Sequence, residues 1–189
     1  MSFLPADYTP PASTGHYMKL LKGESRFRVL SSAIVGNEYW TTDKEGKRKP
    51  VRVPMGVKIN TEDLESSDGD GIKHFWAFTV IDRADGEIKI LELTQKSIQK
   101  LITSLVQDED WGDPKQYDIL ITRKGDGMET EYTVNPKPAK PLEKEIEHKW
   151  QALQTEGFSL EELFAGGDPF TPSKKIDPNA EINIEDIDL

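Results

Sequence analysis

The octapeptide HFWAFTVI, residues 74–81, constrains this chain more than any other stretch. It is the most hydrophobic segment of the sequence and is apolar on both faces of a strand, which marks a central strand rather than an edge. Asp85-Gly86 supplies a tight turn after it, and residues 88–93 return as its hairpin partner. Nearer the N-terminus, Phe27 and Val29 alternate with Arg26 and Arg28, the period of a half-buried strand. That pattern runs over residues 24–40, bent or bulged through Ile34, Val35, Tyr39 and Trp40. A polar loop bearing Lys44, Lys47, Arg48 and Lys49 follows, and Pro50 restarts a shorter strand with Val51, Val53 and Met55 on one face and Arg52 on the other.

Thr94 is placed to N-cap a helix over residues 95–106. Its Ile98, Leu101, Ile102, Leu105 and Val106 form an apolar stripe that must lie on a sheet. Residues 117–122 and 129–134 read as a second hairpin around Gly125-Asp126-Gly127, giving six strands in all. Pro136, Pro138 and Pro141 form a stiff linker to a helix over residues 142–153, and the apolar motif FSLEELFAGGDPF comes after it. The expected fold is mainly β: an OB-fold-like antiparallel barrel with one helix, followed by a C-terminal helix and a disordered acidic tail. The units are an extended arm over 1–16, an OB-fold domain over 17–135, linker and short helices over 136–170, and the tail over 171–189.

Charge is distributed unevenly. The chain has 189 residues and a formal net charge of −10, yet residues 14–58 carry ten Lys and Arg against four Asp and Glu. Residues 59–134 carry eight against seventeen, and the last fourteen residues hold five acids and no base. A basic block inside an acidic protein matters because the local field acts on a charged ligand more than net charge does. There is no cysteine, which excludes disulfides, thiol nucleophiles and Cys-ligated metals. No apolar run reaches the roughly 18 residues of a membrane span, and residues 1–15 lack the basic and apolar regions of a secretory signal. The expected location is the cytoplasm.

The usual catalytic signatures are missing: no GxSxG, Walker A loop, GxGxxG after a strand, or HExxH. His16, His74 and His148 share no ligand spacing, and Asp68-Gly69-Asp70-Gly71 lacks the further acids of a calcium loop. No catalytic residue, metal or cofactor is expected, and the protein reads as a non-enzyme. The basic and aromatic residues are more specific. Arg26 and Arg28 project from one strand face, Tyr39 and Trp40 precede the Lys44, Lys47, Arg48 and Lys49 loop, Arg52 follows it, and Lys73, His74 and Trp76 open the central strand. Single strands are held by this mixture, cations following the phosphates while flat rings stack on bases. Each also has a plainer role. Trp76 and Phe78 can be core, the two arginines a solvated sheet face, and KEGKRK a solubilising hairpin tip.

The stretches YMKLLKGESRFRVLSS, KHFWAFTVID and ILELTQKSIQKLITSLVQDEDWGDPKQYDILITRKGDGMETEYTVNPKP resemble a family of phage-encoded single-stranded-DNA-binding proteins. The resemblance covers roughly residues 17–140 and the ELFAGGDPF element. It implies an OB-fold accessory protein of phage replication or recombination, acting in the cytoplasm of the host cell. Arg26, Arg28, Tyr39, Trp40, Lys47, Arg48, Arg52, Lys73 and Trp76 would then line the DNA groove. The tail, ending in Asp186, Ile187, Asp188 and Leu189, would recruit replication or recombination proteins. The zinc of some relatives is not implied, because Cys is absent, and residues 1–15 have none of the Lys or Arg of a cooperative basic arm. The alternative is an OB-like protein-interaction adaptor that binds no nucleic acid.

Overall fold

The computed structural model describes residues 15–42, 44–60 and 71–171. The strands are β1 (Tyr17–Met18), β2 (Gly23–Val29), β3 (Ile34–Thr42), β4 (Arg48–Pro54), β5 (Lys73–Asp82), β6 (Ile88–Leu93), β7 (Asp118–Lys124) and β8 (Glu131–Pro136). Helix α1 (Lys96–Gln107) lies between β6 and β7, and α2 (Lys144–Thr155) follows β8. Short 3-10 helices occupy Pro114–Gln116, Gly127–Glu129 and Leu160–Ala165.

Strand β5 is the hub of the sheet. One of its edges bonds to β6. The other bonds to two strands in turn, β3 at residues 73–77 and β2 at residues 80–82. Strands β2 and β3 are thus one long strand interrupted by a bulge, because residues 30–33 stand opposite only Phe78 and Thr79. Leu30 N–H donates to Thr79 O at 2.8 Å, and Thr79 N–H donates to Ser31 Oγ at 2.9 Å, so a hydroxyl takes over where the carbonyl ladder breaks. This is the bend read from residues 24–40.

Strand β7 bonds to the remaining edge of β2 and to β8, while β4 bonds to β3. The sheet is mainly antiparallel, consistent with an OB-like fold, but the expected antiparallel barrel is not closed. The outer edge of β6 is taken by β1, which runs parallel to it, and β8 packs against α1. Strand β1 opens the segment expected to be the OB-fold domain, with a pairing not expected from the sequence.

Two cores follow from the alternation of β5. On one face Phe78 and Val80 pack with Phe27, Val29, Leu91, Leu93, Ile119 and Ile121 beneath Ile98 and Ile102 of α1. On the other, Phe75, Ala77 and Ile90 are covered by Leu160 and Leu163, with Phe158, Phe164 and Phe170 around them. The two-faced hydrophobicity of HFWAFTVI is therefore used on both sides, the second by the FSLEELFAGGDPF motif. Burying one side chain of this size contributes about 1.5–3 kcal/mol, so this short motif is a substantial part of the fold.

The helix begins one residue later than expected. Its N-cap is Gln95, which makes no side-chain cap bond, and Thr94 instead donates its N–H to Gln95 Oε1 at 3.2 Å. Its apolar stripe is only partly covered: Ile98 and Ile102 are buried, whereas Leu101 and Val106 remain 39% and 47% exposed. The segment after β8 is not a free linker. Lys137 N–H donates to Asp118 O at 2.8 Å and Lys140 N–H to Gln116 O at 3.2 Å, strapping it alongside the start of β7. The 60–72 loop lies largely outside the described residues, as do the arm over 1–14 and the tail from 172 onward. Among the described residues, no helix is long and apolar enough to cross a membrane.

Candidate nucleic-acid interface

The pairing of β3 with β5 ends at Glu38 and Lys73, but its pairing with β4 continues to Thr42 and Arg48. Residues 39–42 and 48–51 are therefore a two-stranded ribbon that runs past the body of the sheet. Lys44, Lys47, Arg48 and Lys49 are exposed at its tip. Trp40 is 36% exposed, and the Arg48 guanidinium lies 4.9 Å from its ring centre, within cation–π range. An indole fixed under a cation, beside three lysines, offers a flat face and a local positive field together.

Alternation divides the sequence-predicted residues between two faces. Tyr39 stands opposite Val51, Asn37 opposite Val53 and His74, and Val35 opposite Trp76. These share the α1 side of the sheet. Trp40, opposite Pro50, and Glu38, opposite Arg52 and Lys73, lie on the other side with the C-terminal motif. Trp40 and Trp76 thus belong to different surfaces. Tyr39 is 7% exposed and faces a polar hollow edged by Thr41, Lys44, Glu45 and Lys49. Trp76 is half-buried, packed on the core, and donates Nε1–H to His74 Nε2 at 3.1 Å. Lys73 is exposed.

Arg28 requires a correction. It is not on an open cationic face but only 1% exposed, with Nε on Asp118 Oδ1 at 2.8 Å and Nη1 on the carbonyl of Lys140 at 3.0 Å. The 137–143 segment buries it. Asp118 also binds Arg26 at 2.8 Å and Arg83 at 3.0 Å, and Arg83 reaches Glu143 at 3.1 Å. Burial alone would raise the Asp118 carboxyl; the hydrogen bond and charge of Arg83, the charge of Arg28 and the bond from Arg26 outweigh it and hold it below the aspartate range. Arg26 keeps some exposure, but its charge is shared with Asp118.

Arg52 is corrected in the same sense. It sits between Glu38 at 3.1 Å and Glu92 at 2.8 Å, mostly buried on the face covered by the C-terminal motif. Burial pushes Glu92 above the ordinary glutamate range, with the Arg52 charge opposing that shift and Glu38 adding to it. Two arginines read as strand-face cations are therefore neutralised by acids on other strands, which single-strand periodicity cannot reveal.

The partner-binding residues Asp186, Ile187, Asp188 and Leu189 lie outside the described residues. Sequence reasoning missed a cleft of about 440 Å³ at the β2–β3 bulge, lined by Trp76, Phe78, Val106, Ser31, Ser32 and Lys115 among others. It arises from the two-residue register offset and has no sequence signature.

No protein-family model matches the chain, and no solved structure matches it significantly. The chain is similar to a protein of Escherichia phage T5 named "Probable ssDNA-binding protein". The two are 30% identical over 143 aligned positions, which take in 62% of this chain. The chain spans about half the length of that relative, 53% of it. The expected resemblance to a phage-encoded single-stranded-DNA-binding family is thereby borne out.

Proposed function

We propose that this protein binds single-stranded DNA without sequence preference and performs no chemistry on it. The observation that carries this reading is the β3–β4 ribbon, where Trp40 lies under Arg48 beside exposed Lys44, Lys47 and Lys49. A second contact surface follows along the α1 side of β3 and β5, through Tyr39, His74 and Trp76. The name of the T5 relative supports the same ligand. OB-like sheets bind oligonucleotides through strand faces and the loops between strands, and here β4 lies in the long connection from β3 to β5. We further propose a role in phage DNA replication or recombination, with the 171–189 tail recruiting protein partners.

Fluorescence-anisotropy titration against single-stranded and duplex oligonucleotides of equal length, at two salt concentrations, tests the reading. Binding should favour the single strand. If about five phosphates are neutralised, log K should fall against log salt with a slope near −3.5. Absence of binding at low salt would sink the proposal in favour of a protein-interaction adaptor.

A further inference from the structure

We propose that the cleft at the β2–β3 bulge is a base subsite. It takes one unstacked nucleobase of the bound strand against Trp76, with a neighbouring phosphate on Lys115. This rests on the reading of the chain as a single-strand binder and adds to it a defined pocket away from the ribbon.

The cleft lies at the bulge, where residues 30–33 stand opposite only Phe78 and Thr79 and the strand beside β5 is out of step with it. Its floor is Phe78, Val29 and Ile119, and Val106 of α1 forms the far wall. A volume of about 440 Å³ accommodates a flat ring system. Trp76 does not swing freely, because its Nε1–H is held by His74 Nε2, so the indole face toward the cleft is set before any ligand arrives. Val106 stays 47% exposed although it belongs to the helix stripe that the sheet should cover.

The rim argues for a nucleotide rather than an aliphatic side chain. Ser32 edges the opening beside Ser31, whose hydroxyl accepts from Thr79 N–H and donates to Ser32 O, and Lys115 stands there with Asp113. The Lys115 side chain is 43% exposed and its ammonium reaches Asp113 only at 4.0 Å, so it can follow a phosphate. The cleft also continues a surface already proposed for the strand. From Tyr39 through Asn37 to Val35 the α1 side of β3 runs about 13 Å, and it leads into the bulge.

The test uses the full chain carrying 5-fluorotryptophan, with the Trp76 fluorine line assigned through Trp76→Phe. Adding oligo-dT should shift the Trp76 line, and an abasic oligonucleotide of the same length should leave it in place. Val106→Phe, which fills the cleft from an exposed position, should lower oligo-dT affinity at least fivefold with the salt slope unchanged. Lys115→Ala should reduce the slope by about 0.7. If wild type binds oligo-dT while the Trp76 line stays still and both variants bind normally, the subsite is refuted and the ribbon reading survives. If wild type does not bind oligo-dT, the parent reading fails and the subsite with it.

Discussion

Trp40 and Trp76 face opposite sides of one sheet. Trp40 stands across from Pro50 on the side of the C-terminal motif, and Trp76 across from Val35 on the side of α1. A strand of DNA that stacked on both would have to pass around the ribbon rather than lie flat on one platform.

The two indoles should therefore act independently. Trp40→Ala and Trp76→Ala are each expected to weaken oligo-dT binding by about 1–3 kcal/mol, the range for one stacked base. Sites with no shared partners add, so the double variant should lose the sum within about 0.5 kcal/mol. Anisotropy titrations of the four proteins close the cycle. A strong coupling energy would show that the rings share one base or one base step, against this placement.

The lysines at the ribbon tip should control salt dependence rather than stability. Replacing Lys47 and Lys49 with Ala is expected to make the slope of log K against log salt shallower by about 1.4, at 0.7 for each phosphate no longer neutralised. Both residues are exposed, so the urea midpoint should move little. An unchanged slope would place the phosphates elsewhere.

Gly36 should resist any side chain. A Cβ there would sit 2.2 Å from the carbonyl oxygen of Val53 and 2.9 Å from the Phe75 ring, with Phe164 at 3.1 Å. The backbone of β4 cannot yield without leaving β3. Gly36→Ala is expected to cost about 2 kcal/mol or more in urea unfolding, at the upper end of overpacking effects. It should also weaken DNA binding, because β3 and β4 carry the ribbon.

Much of this molecule is legible from periodicity. Alternation at Phe27 and Val29, the two-faced run at 74–81 and the stripe at Ile98 and Ile102 each report which side of an element is apolar, and each lies in the core as expected. What alternation cannot report is who stands opposite. Arg28 and Arg52 look like surface charges until Asp118 and Glu92 arrive from strands far along the chain and Glu38 from the strand directly across the hairpin. The division of Tyr39 and Trp40 between faces was implicit in their adjacency. The cleft beside Trp76 was not, because it depends on two extra residues in one strand of a pair about 45 positions apart.

Asp118 is where charge should matter for stability. It holds Arg26, Arg28 and Arg83 and is itself 1% exposed, so Asp118→Asn leaves a buried guanidinium without its counterion. Breaking one side of a buried pair costs about 3–5 kcal/mol. The sign of the pH effect follows from its depressed folded-state ionisation. The unfolded chain takes up the proton near the ordinary value of 3.8 while the folded one still refuses it, so stability from Asp118 is complete above that value. It is lost as pH falls through the lower folded value. Asp85, Glu143 and Asp168 are shifted the same way and should add to the acid loss. Urea unfolding between pH 2 and 7 should show a gap between wild type and Asp118→Asn that is widest at neutral pH and narrows below about pH 4. A gap constant across that range would mean that packing, not charge, is what Asp118 contributes.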